Sequence, residues 1–352
     1  MKLLFFLLAY KVIITTLLPF LPSSAWWVRV WEFPRYQIVL IGIIAFIVLL
    51  VSREFGLHAK IVSALLTAAI IYHSVLIFPY TFLSGTQVKQ AEHWEEENTI
   101  SLVIANVLMD NKNSSGFIDI IKKTKPDLIL AVETNEWWIN QLDVISPHYP
   151  FKVPVPLENT YGMVLYSKYK LIRQEVKCLV ENDIPSIHVQ IEMPSGKIVE
   201  GRFLHPRPPA PQESKDSKER DAEILIVAKE VKDIKDPVIV AGDLNDVAWS
   251  ETTILFQKVS RLLDPRIGRG FYNTFHADYF FFRWPLDYVF HSDHFKLIQL
   301  ERLPYFNSDH FAVYVKFSLD PQAKLEQEEP GSDAQEEQKA TEKIKEGVND
   351  KD

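Results

Sequence analysis

The chain has 352 residues, 38 Lys/Arg against 46 Asp/Glu, and a single cysteine, Cys178. That length suits one large domain or two small ones, and one cysteine rules out an internal disulfide framework. A net charge of −8 is a poor background for nonspecific nucleic-acid binding. The charge is unevenly spread, with six basic and two acidic residues in 1–85, 27 and 34 in 86–320, and five and ten in 321–352.

Residues 1–85 read as a membrane anchor. The runs 3–22, 36–51 and 61–80 are almost wholly apolar, and the last two carry no charge. A bilayer span needs roughly 20 apolar residues. Buried core helices would show amphipathic spacing, which these lack. A cleaved leader ending in "PSSA" at Ala25 fits poorly with Lys11 inside the first run and with the lack of a basic start. Trp26, Trp27 and Trp31 sit between the first two runs, where amphipathic aromatics anchor at an interface. Three spans follow. With the N-terminus inside, Lys2, Arg53 and Lys60 lie on the cytoplasmic side against Arg29 and Arg35 outside. The expectation is therefore a multi-pass protein of the cell membrane with an external (periplasmic or extracellular) domain.

Residues 86–320 alternate short apolar runs with amphipathic stretches. Strands are expected at 99–107, 127–132, 162–167, 186–193, 197–205, 237–243, 286–292 and 311–319. Helices are expected at 114–124 and 213–233, with a short one after Ser250; Ile224, Val227, Ala228 and Val231 fall at helical spacing. "PSGK" at 194–197 is a hairpin turn. "YFFFRWP" at 279–285 reads equally well as a core strand or as an aromatic loop that stacks a base or dips into a bilayer. The acidic segment 321–352 has too few large apolar residues to offset its ordering entropy and is expected to be a disordered tail.

Polar residues recur where the strands stop: Asn106, Glu133, His205, Asp243 with Asn245, Asp287, and Asp309 with His310. Each has an ordinary structural reading as a cap, a turn or a surface group. Asp287 has the weakest, because a carboxylate inside an apolar run needs a partner. In "GDLN" (242–245), Asp243 and Asn245 stand two apart, and on an extended chain they would point the same way. Taken jointly, the set suits metal-assisted hydrolysis of a phosphate ester. A hard cation such as Mg²⁺ takes oxygen ligands, for which Glu133 and Asp309 are suited. Asp243 would orient or deprotonate the water. Asn245, His205 and His310 would hold phosphate oxygens, and Asp287 behind His310 would favour its protonated ring. Arg202 and Arg207 flank His205, and Arg207 could take a second phosphate.

The ordered series Asn106, Glu133, His205, "GDLN" 242–245, "LDY" 286–288 and "SDH" 308–310 resembles the endonuclease/exonuclease/phosphatase (DNase I-like) superfamily over about residues 98–318. "WWVRVWEFPR" (26–35) is similar to a segment of its membrane-anchored bacterial members. The resemblance implies an α/β fold, a four-layer α/β sandwich of two packed mixed β-sheets flanked by helices, preceded by the transmembrane helical region. It also implies a metal at Glu133, with Asn106 and Asp309 near it, and a contact from Asn106 to substrate. The cofactor would be Mg²⁺, with Mn²⁺ as an alternative. One departure is Met163 in "GMVLYSKY" (162–169), where the family usually carries a small polar residue. The resulting expectation is a membrane-anchored, metal-dependent phosphodiesterase or phosphatase acting on a lipid or soluble phosphoester. A membrane-tethered DNase or RNase is the alternative, and a catalytically inactive binding protein is the third reading. The partners implied are the phosphoester substrate (lipid, nucleic acid or small molecule) and the bilayer around residues 1–85, with no protein partner.

Overall fold

The computed structural model describes residues 1–53 and 56–349. Three helices, Lys2–Leu17, Arg35–Ser52 and Leu57–Ile77, are each long and apolar enough, with their short extensions, to cross a membrane. They pack on one another through Phe5, Val12, Ile38, Ala45, Val62 and Leu66. Their closest approach is at Gly42, where a Cβ would lie 2.7 Å from Ile70 Cγ1. Large apolar side chains such as Leu40, Leu50 and Leu65 point outward, the reverse of a soluble helix bundle.

The rest of the chain builds two sheets. The first has the order β10-β11-β1-β2-β4-β3, with β1 Thr99–Asn106, β2 Leu128–Val132, β3 Phe151–Val155, β4 Met163–Ser167, β10 Phe295–Arg302 and β11 Val313–Leu319. The second has the order β5-β6-β7-β8-β9, with β5 Lys170–Lys177, β6 Ser186–Glu192, β7 Ile198–Leu204, β8 Val238–Asp243 and β9 Asp287–His291. Each sheet contains one parallel pair, β1/β2 and β7/β8, among antiparallel ones, so both are mixed.

Side-chain alternation along each strand generates the layers. Ile100, Leu102 and Ile104 of β1 face Val189, Ile239 and Ala241 of the other sheet in the central core. The neighbours Val103 and Ala105 face outward onto Phe117 and Ile121 of the helix Ser114–Thr124. On the far side, Val238 and Val240 of β8 pack under Ile224, Val227 and Ala228 of the helix Lys218–Val231 and under Phe256 of the helix Glu251–Ser260. The result is the four-layer sandwich. Met163, the departure noted above, is fully buried between the sheets opposite Val132. It is therefore a core residue and does not face the strand ends.

The apolar helices are joined to the sandwich at several points. Trp249 Nε1 donates to the Glu32 carbonyl at 2.7 Å, Tyr36 Oη donates to the Arg283 carbonyl at 2.5 Å, and the Ser217 amide donates to the Ser24 carbonyl at 3.0 Å. The 279–285 segment is an irregular loop, with Tyr279, Phe280, Phe281 and Phe282 all more than half exposed. Of the two readings held open for it, the core strand is thus excluded.

Residues 321–349 are not the disordered tail expected from their composition; 350–352, the rest of that segment, lie outside the described residues. Ala334–Asn349 is a helix docked on Lys218–Val231 and the neighbouring Glu251–Ser260. Its contact stripe is made of small residues and one isoleucine: Ala340 is fully buried, Ile344 joins the outer core, and Gly347 lies so close to the Lys218 carbonyl that a Cβ would sit 2.3 Å from it. Lys343 reaches the buried Asp221 carboxylate at 2.8 Å, and Lys232 and Lys258 pair with Glu337 and Glu336. Close backbone approach through small residues, combined with ion pairs, supplies the docking that a count of large apolar residues missed.

Candidate active site

The topology brings the polar strand ends to one edge of the sandwich. Asn106 is the last residue of β1, and Glu133 follows β2 directly alongside it. His205 follows β7, and Asp243 ends the parallel neighbour β8. Because β9 and β11 run antiparallel to β8 and β1, their beginnings lie at the same edge. Asp287 therefore pairs directly across from Asp243, and Asp309–His310 arrive just before β11.

Asp243 is the hub. Its Oδ1 accepts the Asn245 backbone N–H at 2.9 Å, and its Oδ2 accepts Asn106 Nδ2 at 3.2 Å. The Nε2 atoms of His310 and His205 approach that same Oδ2 at 3.5 and 4.0 Å, too far for a close bond. Two ring edges thus converge on one carboxylate oxygen without closing on it, which leaves both ring nitrogens available to an incoming oxygen. Asn106 also donates to Glu133 Oε1 at 2.7 Å, so one amide spans the two carboxylates. The Met109 amide donates to Glu133 Oε2 at 3.3 Å.

The electrostatics separate the two histidines. His310 donates from Nδ1 to Asp287 Oδ2 at 2.8 Å. Burial opposes its charge, but the Asp287 and Asp243 carboxylates outweigh burial and lift its pKa to about 10. His205 has no such partner behind it, and burial lowers it to about 4, so its ring is neutral. Glu133 is pushed up to about 7 by burial, with Asp309 and Asp243 adding to the shift. Asp243 is raised as well, again chiefly by burial. Buried carboxylates held near one another in this way build a negative potential that a cation would relieve.

Two atom sets could hold such an ion. Asp243, Asp287 and His310 each bring one atom within 4.8 Å of the others. The 2.8 Å His310–Asp287 bond already engages one pair of those atoms. Glu133, with Asp309 near it, offers the carboxylate oxygens that a hard cation prefers; Asn106 turns its Nδ2 toward Glu133 and its Oδ1 toward the Leu108 amide, so it would join them as an oxygen donor only with its amide turned over.

The expected residues are thus brought together with one exception and one change of reason. Asn106, Glu133, His205, Asn245, Asp309 and His310 line one cleft of about 860 Å³. Asp243 and Asp287 are buried behind that wall and bonded to it. Arg207 stands apart, paired with Glu181 at 3.1 Å and Asp183 at 3.4 Å, and stacked over Tyr161. Asp243 and Asn245 do not share a direction through strand alternation, because β8 ends at Asp243. Asn245 takes a left-handed φ of 52°, and the Asp243 carboxylate caps its amide. Gly242 makes this end possible: its φ is 149° and a Cβ would lie 1.9 Å from the Leu204 carbonyl.

Three supporting residues escaped sequence reasoning. Ser308 Oγ donates to the Asn106 carbonyl at 2.7 Å and accepts the His310 amide at 3.0 Å, tying the end of β1 to the segment that enters β11 in the same sheet. Its only signal was its place in "SDH". Tyr161 stacks on His205 at 5.5 Å between ring centres. Arg220, buried on its helix, donates to the Asn245 carbonyl at 2.8 Å and pairs with Asp246 at 3.4 Å. Nothing local in the sequence announces that long-range pairing.

The family model for the Endonuclease/Exonuclease/phosphatase family matches residues 103–310, more than half of the chain, and the chain belongs to this family. No curated protein matches it in sequence. Among solved structures, D. rerio TDP2 complexed with a single-strand DNA product aligns at TM-score 0.50 and 18% identity, covering 62% of this chain and 99% of that one. An endonuclease/exonuclease/phosphatase from Bacteroides vulgatus aligns at 0.51 and 17%, covering 63% and 99%. The human Nocturnin catalytic domain with bound sulfate aligns at 0.50 and 19%, covering 64% and 95%. These likenesses establish the fold.

Proposed function

We propose that the protein is a membrane-anchored phosphoester hydrolase that works with a divalent cation. Its three apolar helices would span the cell membrane and its sandwich would lie outside. The observation that carries the reading is the convergence of Asn106, His205 and His310 on one oxygen of buried Asp243, with the Glu133–Asp309 pair beside it. Mg²⁺ held by Glu133, Asp309 and Asn106 would polarise the phosphoryl group and stabilise its developing charge. Asp243 would take the proton of the attacking water as the water oxygen bonds to phosphorus and the ester P–O bond breaks. Cationic His310, fixed by Asp287, would neutralise the non-bridging oxygens. Neutral His205 and the Asn245 amide would orient them.

The nuclease alternative is less well supported. Arg207 and Arg202, the two arginines nearest His205, are already neutralised by Glu181 and Asp183 and by Glu200 and Glu230. A nuclease draws its affinity from free Lys/Arg contacts to phosphates. The inactive-binder reading is disfavoured because acid, base and cation donors all occur together. Outward placement rests on the count of basic residues alone, Lys2, Arg53 and Lys60 at the helix ends away from the sandwich against Arg29 and Arg35 beside it.

The test is turnover by the purified full chain in Mg²⁺ on a panel of bis(p-nitrophenyl) phosphate, plasmid DNA, RNA and phospholipid vesicles. Hydrolysis that Asp243→Ala abolishes, with the variant still folded, is expected. Undiminished turnover in that variant would refute the assignment, and efficient cleavage of DNA alone would restore the nuclease.

A further inference from the structure

The cleft is not confined to the sandwich. One end is walled by the strand-end residues, and the other by Lys11, Val12 and Thr15 of the first apolar helix and Ile38 and Ile41 of the second. With a rise of 1.5 Å per residue, Lys11 and Ile41 stand about 9 Å inside the bundle from the ends that adjoin the sandwich. Phe282, Trp284 and Phe275 roof the passage between the two ends. The loop carrying Phe282 is fastened to the second helix, with Gln37 Nε2 donating to the Phe281 carbonyl at 2.8 Å and Phe33 packing edge-on against Trp284 at 5.8 Å. Phe280 and Phe281, 73% and 69% exposed, project beside this helix end.

Such a cavity is polar and acidic at one end, and apolar with a single lysine at the other. It matches an amphiphile whose phosphate and hydrocarbon are joined. We propose that it seats a membrane phospholipid, with an acyl chain between the first two apolar helices and the headgroup phosphate beneath His205 and His310. This assignment rests on the hydrolase reading above and names its substrate class. Hydrolysing a lipid at a soluble site requires its chains to leave the bilayer, exposing hydrocarbon to water. Here the wall is supplied by the helices that cross the bilayer, so the chain passes from lipid to cleft without that exposure. The Phe280–Phe281 tip lies where an interfacial aromatic anchor would hold the cleft mouth at headgroup level. An ionisable residue on a membrane helix marks a functional site by default. Lys11, on the cleft wall, meets that description by offering a positive charge to an anionic lipid.

The experiment places the full chain in nanodiscs of phosphatidylcholine and phosphatidylglycerol doped with a phosphatidylcholine bearing a diazirine on its acyl chain. Crosslinked residues are mapped by mass spectrometry, and turnover of the lipid is measured against that of bis(p-nitrophenyl) phosphate. Val12, Thr15 and Ile38 are turned away from surrounding lipid, so labelling there reports occupancy of the cleft. The proposal expects that labelling, and expects Ile41→Trp to remove it while lowering the lipid-to-soluble turnover ratio at least tenfold. Labelling confined to outward residues such as Leu50 and Leu65 would overturn the proposal without need of any variant. Soluble-ester turnover with an unlabelled cleft would overturn the lipid assignment alone. A labelled cleft with neither substrate hydrolysed would instead overturn the hydrolase reading.

Discussion

At the scale of single residues, the site depends on groups that touch no substrate. Asp287 is buried, its Oδ2 is committed to His310, and its Oδ1 has no partner among the described residues. Its contribution is to keep His310 charged and aimed. Asp287→Asn should leave the fold intact and lower kcat by roughly 100-fold, the scale of a lost transition-state charge contact; steady-state kinetics beside a circular-dichroism melt would separate the two effects. Ser308→Ala should cost about 1 kcal/mol of stability from its two lost hydrogen bonds. It should also cost roughly tenfold in turnover, because Asn106 and His310 lose their common tether; an unchanged rate would leave Ser308 a buried structural residue with no part in positioning the site. Glu223 supplies a pH prediction away from the site. It is buried on the helix Lys218–Val231, its Oε1 has no partner among the described residues, and burial, with Glu181 adding, lifts it from 4.5 to about 8. As pH rises past 4.5 the unfolded chain ionises while the folded carboxyl does not, so folding stability falls between pH 4.5 and 8. Glu223→Gln should flatten that slope and stabilise the protein at pH 8 by roughly 1–3 kcal/mol, read as melting temperature against pH in detergent.

At the scale of elements, the sequence was most informative where strands are central. The eight expected strands all exist, and the helices at 114–124 and after Ser250 lie where capping residues and periodicity put them. The three strands that were not anticipated, β3, β5 and β10, are all sheet edges. An edge strand buries only part of its surface, as the single buried residue of β5, Leu171, illustrates, so it writes no continuous apolar run. The terminal helix escaped for a related reason: it docks through Ala340 and Gly347, residues that hydropathy does not register. The docking itself is testable. Ala340→Asp should detach the helix Ala334–Asn349 and raise amide hydrogen exchange along Lys218–Val231; exchange equal to wild type would mean that the helix adds nothing to its neighbour's stability. The site was legible as an ordered set of types at successive strand ends, because each residue alone is an ordinary cap or turn and only their joint occurrence points to one chemistry. Its internal wiring was not legible. The capping turn at Asn245, the Arg220–Asp246 support and the neutralisation of Arg207 all depend on partners far away in sequence.

At the scale of the whole molecule, the apolar helices and the sandwich share one cavity. The parallel pairs β1/β2 and β7/β8 deliver Asn106, Glu133, His205 and Asp243 to one edge, and the antiparallel β9 and β11 begin there, so six separate segments meet at that edge. That edge faces the apolar helices, which form part of the site's wall. We propose that the Glu133 side of this edge holds a catalytic cation while Asp243 handles water. This assignment is tested most directly by stripping the full chain with chelator, restoring Mg²⁺ in steps, and following hydrolysis of bis(p-nitrophenyl) phosphate by wild type and Glu133→Gln. Turnover in the wild type should vanish on chelation and return saturably with Mg²⁺, while Glu133→Gln should need at least tenfold more metal or stay silent. Turnover that persists in chelator, or a Glu133→Gln enzyme with the same Mg²⁺ dependence as wild type, would contradict the account.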